Sequence, residues 1–254
     1  MNKTILITGG TGKVGSQIVQ HFYQQGWNVL FTSLKQEEID TISGNIQNET
    51  IPNKLIGIVI NLEDLSSAQK IINFVEEKKI LPNCLVNCAR NLNYLKVSLN
   101  GKTERSEWVG EFMLNVVVAY ELAFELSNQL NSQLENIINI SSMYGVVPPN
   151  PSLYKNPSLE SPIQYGVAKA ALIHLTKELA IRLANKKIKV NAISFGGIEG
   201  RVDDEFKKKY AQLCPFKRML QEEEVVGAID FLASDKSSFI TGHNLIVDGG
   251  WSVW

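Results

Sequence analysis

Strand-length apolar runs alternate with helical patterns along almost the whole chain, and this alternation limits its fold more than any other feature. "KTILIT" (3–8) precedes a segment in which Val14, Ile18, Val19 and Phe22 share one helical face. "WNVLFT" (27–32) and "LIGIVI" (55–60) read as the next two strands. A helix from about Ser66 carries Ala68, Ile71, Ile72 and Val75 on one side, and "CLVN" (84–87) is a fourth strand. A helix over roughly 108–128 leads to "NIINIS" (136–141), followed by a helix with Ala168, Leu172, Leu175, Leu179 and Leu183 on its buried side. "IKVNAIS" (188–194) and "NLIV" (244–247) complete seven strands. Strands apolar on both faces and separated by helices imply a doubly wound α/β fold, a parallel sheet covered on both sides. Ligands of such sheets bind beyond the carboxyl ends of the strands. With 254 residues, no internal repeat and no clear linker, a single domain over 1–254 is expected.

A formal net charge of −1 provides no field to draw the chain to nucleic acid or to an anionic membrane. "MNKTILITGG" runs straight into a strand, and no apolar run is long enough to cross a bilayer, so a cytoplasmic protein is expected. Cys84, Cys88 and Cys214 lack the second ligand pair of a zinc site and read as reduced thiols, with no metal expected. Five of the eight prolines (Pro148, Pro149, Pro151, Pro157 and Pro162) make a stiff loop between the fifth strand and the next helix.

"TGGTGKVG", Thr8 to Gly15, follows a strand and opens an amphipathic helix, the context in which a glycine turn binds a dinucleotide. Gly9 permits the tight turn, Gly12 admits the pyrophosphate, and Gly15 allows close packing of helix on sheet. The helix N-terminus offers unpaired N–H groups to the phosphates. After the second strand, "FTSLKQ" places Ser33 and Lys35 where an acid would bind the ribose hydroxyls of NAD, with Glu37 and Glu38 later. Lys13 and Lys35 either reach a 2′-phosphate or are solvated, and the ribose argument favours NADP over NAD.

"QYGVAK" sets Tyr165 and Lys169 four residues apart at a helix start, on one face. An ammonium beside a phenol favours the phenolate, so such a tyrosine can exchange a proton with a carbonyl or alcohol oxygen. The pair is common by chance on helices; it gains weight from "NISSMYG", which puts Ser142 just past the fifth strand at the same sheet edge.

Taken together, "TGGTGKVG", "LVNCAR", "MLNVV", "NISSMYG", "YGVAK", "KVNAIS" and "TGHNLIVDGGWSV" resemble the short-chain dehydrogenase/reductase family, single-domain type, from Thr4 to Val253. The resemblance implies a Rossmann-type fold, an NAD(P) cofactor, and hydride transfer between nicotinamide and a carbonyl or secondary alcohol carbon. It implies Tyr165 as proton donor, Lys169 as the residue that tunes it and binds the nicotinamide ribose, Ser142 as the substrate-orienting hydroxyl, and Asn115 as the holder of a relay water. Cofactor contacts are implied for Thr8, Gly9, Gly12, Lys13, Val14, Gly15, Ser33, Lys35, Asn61, Leu62, Asn87, Ala89 and Ile198. Homodimers or homotetramers are also implied.

Several positions depart from the family pattern. Lys13 and Arg90 stand where glycine is usual, Phe195 where proline is, and Gly200 where threonine is. The glycine spacing is that of extended, sugar-nucleotide-modifying relatives. "NCARN" and the long "SSMYGVVPPNPSLYKN" segment resemble a subgroup linked to flagellin modification and sialic-acid-like sugar synthesis, which implies a polar, sugar-related substrate. Arg90 either binds a substrate phosphate or carboxylate, or points to solvent or pairs with an acid. The segment 196–220 is expected to act as a substrate lid. Arg201 and Lys207 to Lys209 either meet an anion or form a solvated face. Trp251 and Trp254 point to a subunit contact. His21 and His174 are expected to be structural, and His243 matches no catalytic position. Two other readings stay open: a cofactor-binding regulatory protein without turnover, and a nucleotide-sugar epimerase or dehydratase.

Overall fold

The computed structural model describes residues 3–46, 52–200 and 202–253. Seven strands run along the chain as β1 (Thr4–Ile7), β2 (Asn28–Ser33), β3 (Leu55–Val59), β4 (Cys84–Asn87), β5 (Asn136–Ser142), β6 (Lys189–Phe195) and β7 (Asn244–Val247). They form one parallel sheet in the order β3-β2-β1-β4-β5-β6-β7. The order reverses between β1 and β4, and that switch point opens a crevice at the carboxyl edge. All seven strands coincide with the apolar runs to within one or two residues.

Period-two alternation divides the core between the two faces. Leu6, Leu30, Leu85, Ile137 and Val190 point to one face, under helices α3 (Ser67–Glu77), α5 (Val118–Asn128) and α7 (Ile163–Arg182). Ile5, Ile7, Val29, Phe31 and Val86 point to the other, under α1 (Lys13–Gln24) and α9 (Val225–Ala233). Each such side chain contributes about 1.5–3 kcal/mol on burial. Because both faces are covered, the strands are apolar throughout and were legible as runs.

Besides the short helix of the proline-rich segment, three helices were not expected from the sequence: α2 (Gln36–Ile46), α9, and α8 (Asp204–Leu213), which sits in the expected lid and is capped by Asp203 accepting from the Phe206 N–H at 2.8 Å. The helix expected over 108–128 begins earlier, as α4 (Arg105–Phe112), and passes through a π-helical turn, Met113–Val117, before α5. Segment 196–220 leaves and returns at one place. Glu199 N–H donates to the Leu220 carbonyl, and Leu220 N–H to the Gly197 carbonyl, both at 2.9 Å. The proline-rich segment, which includes the short helix α6 (Pro157–Glu160), closes against α8: Tyr154 meets Phe206 edge-on at 5.9 Å and Lys155 pairs with Glu205 at 3.2 Å.

Trp251 corrects an expectation. It is buried and stacks on Tyr210 at 4.4 Å between ring centroids, so its own chain covers it and it is no argument for a subunit contact. Trp254 and Arg201 lie outside the described residues. His21 sits in α1 with Nε2 3.4 Å from Asp230, and His174 is on the surface of α7 beside Glu178. No helix among the described residues is long and apolar enough to cross a membrane.

Candidate active site

A cleft of about 840 Å³ runs along the carboxyl edge of the sheet, from the end of β2 across the switch point to β5 and β6. Its floor at the switch point is the glycine turn. Gly9 has φ +67°, and a Cβ there would lie 2.8 Å from the Ala89 Cα. A Cβ on Gly15 would lie 2.1 Å from the Gly9 carbonyl oxygen. The close approach at Gly15 is therefore to the turn itself, which doubles back over the first helical turn, rather than to the sheet. The N-cap of α1 is Gly12, which has no side chain to occupy the first N–H groups. An unobstructed helix N-terminus over a glycine cradle fits a pyrophosphate.

At the β2 end, Ser33, Lys35, Asn61 and Leu62 line the cleft as expected, joined by Glu38. One Glu38 oxygen accepts hydrogen bonds from Ser33 Oγ at 2.7 Å and Thr11 Oγ1 at 2.9 Å, and Lys35 lies 3.9 Å away. Those two hydroxyls, then Lys35, hold the Glu38 carboxyl below the usual carboxylate range. Lys13 takes a different course. Its Nζ, largely buried, lies 3.1 Å from Glu222, just past segment 196–220, and close to Gly200 within it. This side chain is committed at the pyrophosphate end and away from the β2 end, where a 2′-phosphate contact was expected.

Two other expected cofactor residues support the cleft from behind. Thr8 is buried, and its Oγ1 accepts from the N–H groups of Cys88 (2.9 Å) and Ala89 (3.0 Å), fixing the loop after β4. Asn87 donates to Asn139 Oδ1 at 2.8 Å, bridging β4 to β5. Neither side chain lines the cleft, because each satisfies polar groups at the strand ends. Gly12, Val14, Ala89 and Ile198 do line it.

Ser142, Tyr165 and Lys169 line its far end together. Ser142 ends β5, and its Oγ accepts from the Tyr144 N–H at 3.2 Å. Tyr165 lies in the first turn of α7, with Lys169 one turn later, so both side chains project from one face. Lys169 is buried and donates from Nζ to the Ile140 carbonyl at 2.7 Å, which places the ammonium 5.9 Å from the Tyr165 ring centroid. Burial lowers the Lys169 pKa from its usual value, with Arg90 adding to the effect, while Tyr165 acts in the opposite direction. Arg90 is exposed and joins no salt bridge among the described residues; its guanidinium carbon sits 4.4 Å from the centroid of the Tyr165 ring. Asn115 occupies the π turn and is buried behind the cleft wall. Glu111, buried four residues before Asn115, and Glu38, which lines the cleft, were not among the expected site residues. Glu111 sits at a helix position whose burial no periodicity revealed, and Glu38 lies in the first turn of α2, a helix not expected from the sequence.

The substrate end has aromatic and apolar walls: Tyr144, Pro149 and Tyr154 on one side, and Val202, Phe206 and Met219 on the other. The Tyr144 and Tyr154 hydroxyls lie 3.0 Å apart, and burial raises the pKa of both. Lys207 and Lys209 are paired with Glu199 (2.8 Å) and Glu205 (3.0 Å), which agrees with a solvated face.

A family model described as enoyl-(acyl carrier protein) reductase matches residues 12–252. Post-translational flagellin modification protein A of Campylobacter coli is 28% identical over 254 residues, with 99% of each chain covered. The 3-oxoacyl-[acyl-carrier-protein] reductase FabG of Chlamydia trachomatis serovar D is 30% identical, over 98% of this chain and 97% of the relative. A short-chain dehydrogenase of Leptospira borgpetersenii, solved with bound NAD+, superposes with a TM-score of 0.85 at 27% identity, covering 99% of this chain and 93% of that one.

Proposed function

The chain belongs to the short-chain dehydrogenase/reductase family and is an NAD(P)-dependent oxidoreductase, and from that premise we propose that Tyr165 exchanges the proton at a substrate oxygen held by Ser142. When bound, the nicotinamide supplies or accepts the hydride at the substrate carbon. In the reducing direction Tyr165 gives its hydroxyl proton to the carbonyl oxygen, and in the oxidising direction its phenolate takes the alcohol proton. Lys169 stabilises the phenolate side of that exchange. Asn115 holds the relay that restores the proton. Segment 196–220 is the lid and excludes water from the reacting centre. The whole chain acts as one dinucleotide-binding and catalytic unit.

The observation that supports this reading best is the shared face of Tyr165 and Lys169 at the closed end of the cleft, with the Lys169 ammonium anchored on the Ile140 carbonyl. Tyr165→Phe is expected to lower kcat by about a thousandfold or more while cofactor affinity stays within about twofold. The check is NADH consumption over a panel of ketones, with cofactor titration by fluorescence. Unchanged turnover in that variant would end the assignment.

The cofactor reading shifts with the geometry. Two lysines favoured NADP, but Lys13 faces Glu222, and Glu38 presents a carboxylate at the ribose end. A carboxylate accepts from ribose hydroxyls and repels a 2′-phosphate, so NAD is the proposed cofactor. The Leptospira relative carries NAD+. The proposed substrate is a ketone or secondary alcohol with an anionic group that reaches the Arg90 guanidinium, and with a body that packs on Tyr154 and Phe206. Sugar rings stack on aromatic faces, so the flagellin-modification likeness agrees with this reading.

A further inference from the structure

Behind the cleft wall, Glu111 is buried, at 1% exposure, in the last turn of α4. Its backbone carbonyl and its Oε2 both accept from Asn115 Nδ2, at 2.8 and 2.9 Å. Hydrogen bonds of a π turn skip one residue further than those of an α-helix, which frees carbonyls at its entrance. Here the Asn115 side chain reaches back to the Glu111 carbonyl. With its amide nitrogen committed to Glu111, the Asn115 Oδ1 is turned away and is buried with no hydrogen-bond partner among the described residues.

A buried carboxylate is costly unless charge and hydrogen bonds offset it. Burial raises the Glu111 pKa from its usual value, and Arg90, from the loop after β4, Lys169, from α7, and the Asn115 hydrogen bond act against that rise. Arg90 and Lys169 also flank the Tyr165 ring. The other titratable groups nearby are Tyr165 itself, Cys88 beside Lys169, and Tyr94, whose ring packs over Gly110 and whose hydroxyl donates to Glu63. Two cations beside one phenol disfavour each other, and the charge most easily lost is the buried amine of Lys169. We propose that Glu111 is a positioning residue of the catalytic centre: its carboxylate fixes the Asn115 amide and offsets the Arg90 charge, so that Lys169 remains an ammonium beside Tyr165. The inference rests on the reading of Tyr165 as the proton-exchanging group.

The test is tyrosinate absorbance against pH, with NAD+ present, taking the spectrum of each protein minus that of its Tyr165→Phe counterpart. Glu111→Gln keeps the size of the side chain and an oxygen for Asn115 but removes the charge. The Tyr165–Lys169 pair is then expected to titrate about one pH unit lower than in the wild type. Arg90→Met is expected to move the midpoint about as far upward, and the double variant to return it toward the wild-type value. A purely structural Glu111 would leave the midpoint in place, so a shift under about 0.2 unit in Glu111→Gln overturns the proposal. If Glu111→Gln does not fold, an unmoved midpoint in Arg90→Met overturns it. A wild-type difference spectrum with no tyrosinate below about pH 11 counts against the role of Tyr165 and removes this inference with it.

Discussion

The two ends of the cleft are built on opposite terms. At the β2 end, Lys35 and Glu38 retain 66% and 47% of their side-chain exposure, and hydroxyls and water compete for every charge. At the β5 end, Lys169, Asn115 and Glu111 are buried, and the Lys169 ammonium is fixed by a backbone carbonyl. A charge in the open is worth little and is easily replaced, whereas a buried one is expensive and is kept only with its partners. On the function proposed above, the rim selects among cofactors by small differences, and the interior sets the proton chemistry by large ones.

This contrast would break first at Lys169. Lys169→Met removes the buried ammonium and is expected to lower kcat by about a thousandfold, measured as steady-state turnover with saturating cofactor. A loss of less than about tenfold would mean that the interior tolerates change as the rim does. A smaller effect is expected at the rim. Glu38→Gln removes the carboxylate that repels a 2′-phosphate, and the NADPH-to-NADH ratio of kcat/KM should rise by about tenfold. A fall in that ratio would show that Glu38 does not face the ribose. The smallest effect concerns pH. The Glu38 carboxyl is held below the usual carboxylate range by its bonds to Ser33 and Thr11. The stability those bonds add is complete above the ordinary carboxylate value and fades only as pH falls through the lowered one. Cofactor preference should accordingly vary by less than about twofold between pH 5 and 8, as read from the same kinetic ratio.

The sheet was legible because its inner strands are buried on both faces, as in "NIINIS", and the edge run "LIGIVI" is apolar even though Val59 is exposed. Tyr165 and Lys169 were legible because helical spacing alone puts them on one face. Glu111 and Glu38 were not. Their importance depends on what a neighbouring segment brings to them: Arg90 and Lys169 to the first, Thr11 and Ser33 to the second. The partner of Lys13 was hidden for the same reason. Nothing near it in the chain indicates Glu222, about two hundred residues away, as its partner.

Local pattern in the chain accounts for the seven strands, the glycine turn at a helix start, and the spacing of tyrosine and lysine. Side-chain periodicity and backbone sterics act over a few residues and leave their trace in order and spacing. Where the charges go was settled by tertiary packing alone. It paired Lys13 with Glu222, stacked Arg90 on Tyr165, buried Trp251 against Tyr210 and set Glu111 behind Asn115. Electrostatic partners are chosen by distance in space and by the water excluded between them, and neither is written in the order of the residues.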